Sequence, residues 1–200
     1  MVRALLNGSK SQTRRAINPQ PAVKDEFTTE TMNAAWQEGW VPVKCPYGTP
    51  GDRLIVRENV WMWCEKRIEG TTPTGRPKVR YVPMREVAPV YAADHPAKPD
   101  DINPPKDTGT EQLWRLKLGR FMPRWASRLT LEITDIRVDR LQEISEADAM
   151  AEGIPAPGRE HACDIARQKY RDLWSTINGP ESWAANPWVW ALSLKFPPQL

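Results

Sequence analysis

Twenty prolines, the first at Pro19 and the last at Pro198, set the strongest limit on what this chain of 200 residues can fold into. A proline has no amide hydrogen to donate and its ring clashes with the preceding helical turn, so helix interiors and central strands are closed to it. With eleven glycines added, this punctuation predicts long irregular insertions at about 18–50 and 93–111 between short regular elements. Ten tryptophans must then serve the core, because Leu, Ile, Val and Phe together supply only 38 side chains.

Between the breaks, the period of two predominates. Lys10 to Ile17 reads as extended, with Thr13, Arg15 and Ile17 on one face. Arg53 to Trp63 alternates over its whole length and places Glu58 on the apolar face of Leu54, Val56 and Val60. Val79 to Val82, Val87 to Ala92 and Trp114 to Leu118 are shorter strands, and Leu129 to Val138 shifts phase around Asp135 in the manner of a bulge. Trp188 to Phe196 closes the chain, with Trp188, Trp190, Leu192, Leu194 and Phe196 on one face and Val189, Ala191, Ser193 and Lys195 on the other. Helices are fewer. Val2 to Leu6 ends at Asn7-Gly8, a short helix lies near Thr31 to Trp36, and Ser145 caps another that stops at Gly153. The last runs from about Asp164 to Ile177, with Ala166, Tyr170, Leu173, Trp174 and Ile177 as its apolar stripe. Strands and helices outside any βαβ rhythm give an α+β fold in a single domain, one mixed or closed sheet with flanking helices and long loop insertions.

Several function classes drop out. No window of about 18 residues is free of charge, so no membrane span is expected. Cys45, Cys64 and Cys163 are odd in number and widely spaced, which argues for reduced thiols and a cytoplasmic protein. His95 and His161 lack metal-ligand spacing and sit in loop contexts, so neither a metal site, another cofactor nor a histidine-based triad is expected. Charge, by contrast, is informative. Met1 to Arg15 holds four cations and no acid, Gln112 to Arg128 five cations and no acid, and Leu129 to Asp164 nine acids against three cations. The basic blocks are interleaved with Trp114, Phe121 and Trp125, the combination that a nucleotide or single-stranded RNA requires of a partner: cations for phosphate and rings for bases. Solvated strand faces over an aromatic core are the alternative.

One spacing carries chemistry. Gly8-x-Lys10-x-x-Thr13-x-Arg15 resembles the G-x-K-x-x-[E/T]-x-R signature of ASCH domains, small β-barrels related to the PUA fold, and it lies where a helix cap passes into a strand. The stretches Cys45 to Glu58, Met122 to Thr134, and Tyr170 to Pro180 through Asn186 to Trp190 resemble ASCH/PUA-like proteins encoded by tailed phages and prophages, which implies the cytoplasm of a bacterial host. Some ASCH proteins hydrolyse the amide of N4-acetylcytidine with a Lys, a Thr and a Glu, others cut RNA, and others bind it. The resemblance implies Lys10 and Thr13 for the first two roles, with Glu58 as the carboxylate.

The residue types suit those roles. A threonine hydroxyl is a poor nucleophile or relay until a neighbouring cation or base adjusts it, and a desolvated lysine can do so. A glutamate on an apolar face is costly unless paired, so Glu58 is expected either to meet Lys10, Arg15 or Arg57, or to be neutral and able to donate a proton. Each also has a structural alternative: Glu58 in an ion pair, Thr13 as a strand residue, Lys10 as a loop cation. Arg120, Arg124 and Arg128 straddle Met122-Pro123 and form a loop rim, and Trp125 beside them either stacks on a base or, as the better expectation, plugs the barrel end. Together with Arg15 and Arg57 they make up the expected ligand-binding set. Two functions remain open: a nucleotide- or RNA-binding hydrolase, and a non-catalytic RNA-binding or phage protein-interaction module.

Overall fold

The computed structural model describes residues 2–23, 27–99, 102, 111–155 and 165–197. His161, Cys163, Asp164 and most of the 93–111 insertion lie outside the described residues. The fold is α+β, with a strongly curled antiparallel sheet resembling half a barrel. Two compact units divide it: Met1–Leu54 with Thr130–Leu200, called unit 1, and Ile55–Leu129, called unit 2. Among the described residues no helix is long and apolar enough to cross a membrane.

Unit 1 is organised by β8 (Trp188–Lys195), which runs antiparallel between β1 (Gln12–Ala16) and β7 (Thr130–Arg140), with β2 (Arg53–Ile55) beyond β7. Of the strands expected over Leu54 to Val60, Leu129 to Ile133 and Trp188 to Phe196, the stretches around Leu54, Leu131 and Trp190 thus share one sheet, whereas Val60 belongs to the sheet of unit 2. The register between β7 and β8 slips between Ile133 and Asp135, at the expected bulge. Five consecutive residues from Trp188 to Leu192 are buried, so both faces of β8 are covered rather than the tryptophan face alone, while Phe196 is half exposed. On one side Trp190 meets Trp36 edge-on at 5.0 Å, carried by α2 (Thr29–Gln37), whose N-cap Thr28 side chain accepts from the Thr31 amide. On the other, Val189 packs with Leu141, Ile144 and Ala149 and with the inner face of α4 (Ile165–Asn178). That face is narrower than expected. Ala166, Tyr170 and Trp174, each one turn apart, are buried, whereas Leu173 and Ile177 are exposed.

Unit 2 is built on β3 (Val60–Thr71). β4 (Pro77–Pro83) folds back on it as a hairpin, β5 (Val90–Tyr91) follows β4 on the same edge, and β6 (Gln112–Lys117) pairs with the other. Its core joins Val60, Met62 and Cys64 to Met122 and Ala126. The long strand expected over Arg53 to Trp63 is interrupted between β2 and β3, and that over Val87 to Ala92 shrinks to β5. In the interruption the backbone bonds elsewhere: the Val56 amide donates to the Leu129 carbonyl at 3.0 Å, its carbonyl accepts from Ser127 Oγ at 2.9 Å, and Asn59 Oδ1 accepts from the Gly119 amide at 2.8 Å. Hydrogen bonds to the 119–129 segment, remote in sequence, take the place of the ladder there, and alternation alone carries no sign of it.

Candidate functional site

The start of β1 is laced to the end of α3 (Glu146–Ala151). The Lys10 amide donates to the Ala4 carbonyl at 2.9 Å and the Ser11 amide to the Ala151 carbonyl at 2.8 Å. Gly153 follows α3 in a left-handed conformation (φ +91°), and a Cβ there would stand 3.2 Å from the Cβ atoms of both Ala4 and Lys10. Glycine therefore lets Lys10 lie against the α3 terminus. Lys10 is buried, and its Nζ donates to Glu152 Oε2 at 2.5 Å and to the Glu152 carbonyl at 2.8 Å. Tyr170 on α4 donates to Glu152 Oε1 at 3.5 Å. Burial, reinforced by the Glu152 charge, pushes the Tyr170 hydroxyl well above the usual tyrosine range and keeps it a donor.

A cavity of about 320 Å³ opens here, lined by Lys10, Arg15, Glu152, Tyr170 and Trp174 together with the exposed Leu173 and Ile177. One charged group in its wall is unspent. Arg15 donates to the Arg14 carbonyl at 3.3 Å and, among the described residues, forms no ion pair. The buried Trp174 indole Nε1 has no acceptor among the described residues. A cation, an apolar wall and a lysine–carboxylate pair suit an anionic ligand with an apolar body.

Arg14 is also in the cavity wall, although the alternation sets it on the opposite face from Thr13 and Arg15. It is 2 % exposed. It donates to Gln12 Oε1, to Asp139 Oδ2 at 3.2 Å and to Asp148 Oδ2 at 3.0 Å. Burial pushes the Asp139 carboxyl up despite Arg137 and Arg14. Burial acts on Asp148 in the same sense, but Arg14 and the hydrogen bonds from Gln12 and Ser145 outweigh it, so that carboxyl is lowered.

No family model, curated protein or solved structure matches this chain.

Of the three residues implied for catalysis, Lys10 lines the cavity. Thr13 stands on β1 opposite Leu192 and is not among the lining residues. Glu58 belongs to unit 2, where it is 5 % exposed and, as its position on an apolar face requires, paired. Its partner is not Lys10, Arg15 or Arg57 but Arg128, whose Nε and Nη2 donate to the two carboxylate oxygens at 2.8 and 3.0 Å. Arg128 also donates to Asp94 and lies 3.9 Å over the Tyr91 ring. The hydrogen bond with Glu58, aided by Asp94 against the effect of burial, pushes Arg128 above the usual guanidinium range. Arg57 donates to the Arg120 carbonyl at 3.0 Å, and Arg120 and Arg124 are exposed on two successive 3-10 turns, Gly119–Phe121 and Arg124–Ala126. Trp125 is 36 % exposed and plugs nothing, because Met122 and Ala126 take the buried positions around it.

Glu152 is the side chain of this candidate site that the sequence alone did not mark. It lies 142 residues from Lys10 inside an acidic stretch, where one more carboxylate draws no notice. Its signal is its spacing: Glu152 follows the fully buried Ala149 by three positions, so the helical period turns an acid towards the inner face of α3.

Proposed function

We propose that this chain is an ASCH/PUA-like domain of phage origin that binds a nucleotide or single-stranded RNA at the unit 1 cavity and hydrolyses an amide on a modified nucleoside there. The observation that carries the proposal is the buried Lys10–Glu152 pair, at 2.5 Å, in the wall of a cavity of nucleoside size that Arg15 also lines. Gly8, Lys10, Thr13 and Arg15 support the kinship, and the half-barrel curl of the sheet is compatible with a PUA-like barrel. Arg15 takes the phosphate, and Leu173, Ile177 and Trp174 take the base. Glu152 accepts the proton of a water whose oxygen adds to the acyl carbon, while Lys10 Nζ donates to the acyl oxygen as negative charge builds on it. When the C–N bond breaks, Glu152 returns the proton to the leaving amine, releasing a carboxylic acid and the free nucleoside.

The double tie from Lys10 Nζ to the Glu152 side chain and carbonyl favours a second reading, a non-catalytic binding module in which the pair only joins β1 to α3. An assay with N4-acetylcytidine separates the two. Catalysis predicts release of acetate by the wild type and a loss of about 100-fold or more in kcat for Glu152→Gln with binding retained. Tight binding of cytidine 5′-monophosphate without acetate release establishes the module; absence of both overturns the site.

A further inference from the structure

We propose that residues 119–128 of unit 2 form a stacking platform for single-stranded RNA, a partner class that rests on the nucleic-acid reading above. The segment repeats an arginine–aromatic pair with a period of four, Arg120-Phe121 then Arg124-Trp125, and each pair sits on its own 3-10 turn. The residues one place beyond the rings, Met122 and Ala126, are buried at 2 % and 1 % exposure in the unit 2 core. Burial of those two positions turns the rings outwards: Phe121 is 64 % exposed and Trp125 36 %. Each ring already carries a guanidinium, Arg120 at 4.8 Å from the Phe121 centroid and Arg85 at 5.6 Å from that of Trp125. Among the described residues neither Arg120 nor Arg124 is in an ion pair, so their charge is available to phosphate.

Rigidity adds to the fit. The Gly119 amide is held by Asn59, the Arg120 carbonyl by Arg57 at 3.0 Å, the Ala126 carbonyl by the Tyr91 hydroxyl at 3.1 Å, and Arg128 by Glu58. A Cβ at Gly119 would stand 3.2 Å from the Arg57 carbonyl oxygen, so the turn packs closely on that backbone. Exposed rings on a fixed backbone lose little freedom when bases stack on them, and cations beside them supply the salt-dependent part of binding. A duplex, whose bases are already stacked on one another, gains nothing from such rings.

The test is fluorescence anisotropy with a 12-nucleotide oligouridine and a duplex RNA of equal length, across a salt series. Melting temperatures establish that the variants are folded, which the exposure of the substituted side chains favours. Phe121→Ala and Trp125→Ala should each weaken single-strand binding about tenfold, and the pair together more, with the salt slope unchanged. Arg120→Ala with Arg124→Ala should reduce that slope by about 0.7 for each phosphate no longer neutralised. A Phe121→Ala/Trp125→Ala protein that binds oligouridine within twofold of the wild type overturns the platform, and so does wild-type binding of the duplex as tight as that of the single strand. Binding of cytidine 5′-monophosphate by Arg15→Ala, measured alongside, keeps the two sites apart. Mononucleotide binding lost only in Arg15→Ala, with the aromatic variants inert, leaves the cavity standing and removes the platform; the converse result removes the cavity and leaves the platform.

Discussion

Replacing Arg14 with methionine removes the buried one of two cations, Arg14 and Arg137, that pair with two carboxylates of unit 1, while keeping a long apolar stem in its place. The Arg14 side chain is fully enclosed, and Asp139, 8 % exposed, and Asp148, partly exposed, both accept from it. Loss of the buried partner leaves both carboxylates with only the part-exposed Arg137, 3.6 Å from each, so Arg14→Met is expected to destabilise unit 1 by about 3–5 kcal/mol at pH 7.5, nearer the lower figure. At roughly 2–4 °C per kcal/mol for a chain of this size, the melting temperature falls by about 6–20 °C. The effect depends on pH in a fixed sense. Asp139 is raised by burial, so folding opposes its ionisation and stability falls as pH rises from the ordinary carboxyl value through the folded one. Asp148 is lowered by Arg14, so its contribution is present above the ordinary value and is lost as pH falls through the folded one. Without Arg14, Asp139 moves further up and Asp148 loses its main support, so the deficit is largest above the folded pKa of Asp139 and shrinks on acidification below it. Urea denaturation of wild type and Arg14→Met across pH 4.5 to 7.5 reads both the size and the slope. A deficit below about 1 kcal/mol at neutral pH, or one that does not shrink with acid, refutes the pairing derived from this geometry.

Arg128→Met should cost unit 2 about 3 kcal/mol, because it strands the buried Glu58, whereas Asp94→Ala, removing a partly exposed partner of the same guanidinium, should cost less than about 1 kcal/mol; paired thermal melts check the ratio. Gly153→Ala forces a left-handed alanine against Lys10, so it should destabilise by more than about 1 kcal/mol and weaken cytidine 5′-monophosphate binding in calorimetry.

Much of the fold was legible because its signals are local. The β7 bulge shows as a break in the alternation at Asp135, and the Ser145 cap as a serine whose side chain accepts from the Asp148 amide. What failed were readings that depend on what covers a face. Arg14 is buried on β1 because Asp139, from β7, and Asp148, from α3, close over it, and those partners are remote in sequence. The strand expected over Arg53 to Trp63 breaks because Ser127, Leu129 and Gly119, some 60 to 75 residues on, bind its backbone and side chains. For the candidate site, the motif pointed to Lys10, Thr13 and Arg15, of which Lys10 and Arg15 line the cavity and Thr13 does not. It left Glu152 unmarked, since only the closure of β1 on α3 makes that carboxylate a partner of Lys10.

The Trp174 indole offers the most direct test that the unit 1 cavity is a ligand site, because this side chain lines the cavity and its buried N–H, with no acceptor among the described residues, reports on changes at the ring. In protein labelled with nitrogen-15, its resonance is assigned by its loss in Trp174→Phe and followed as cytidine 5′-monophosphate is added. The expected result is a saturable shift of that indole, with an apparent Kd that rises about tenfold or more in Arg15→Ala. An indole resonance of Trp174 that stays unmoved at millimolar nucleotide, in protein that is folded by its remaining spectrum, contradicts the assignment of the site.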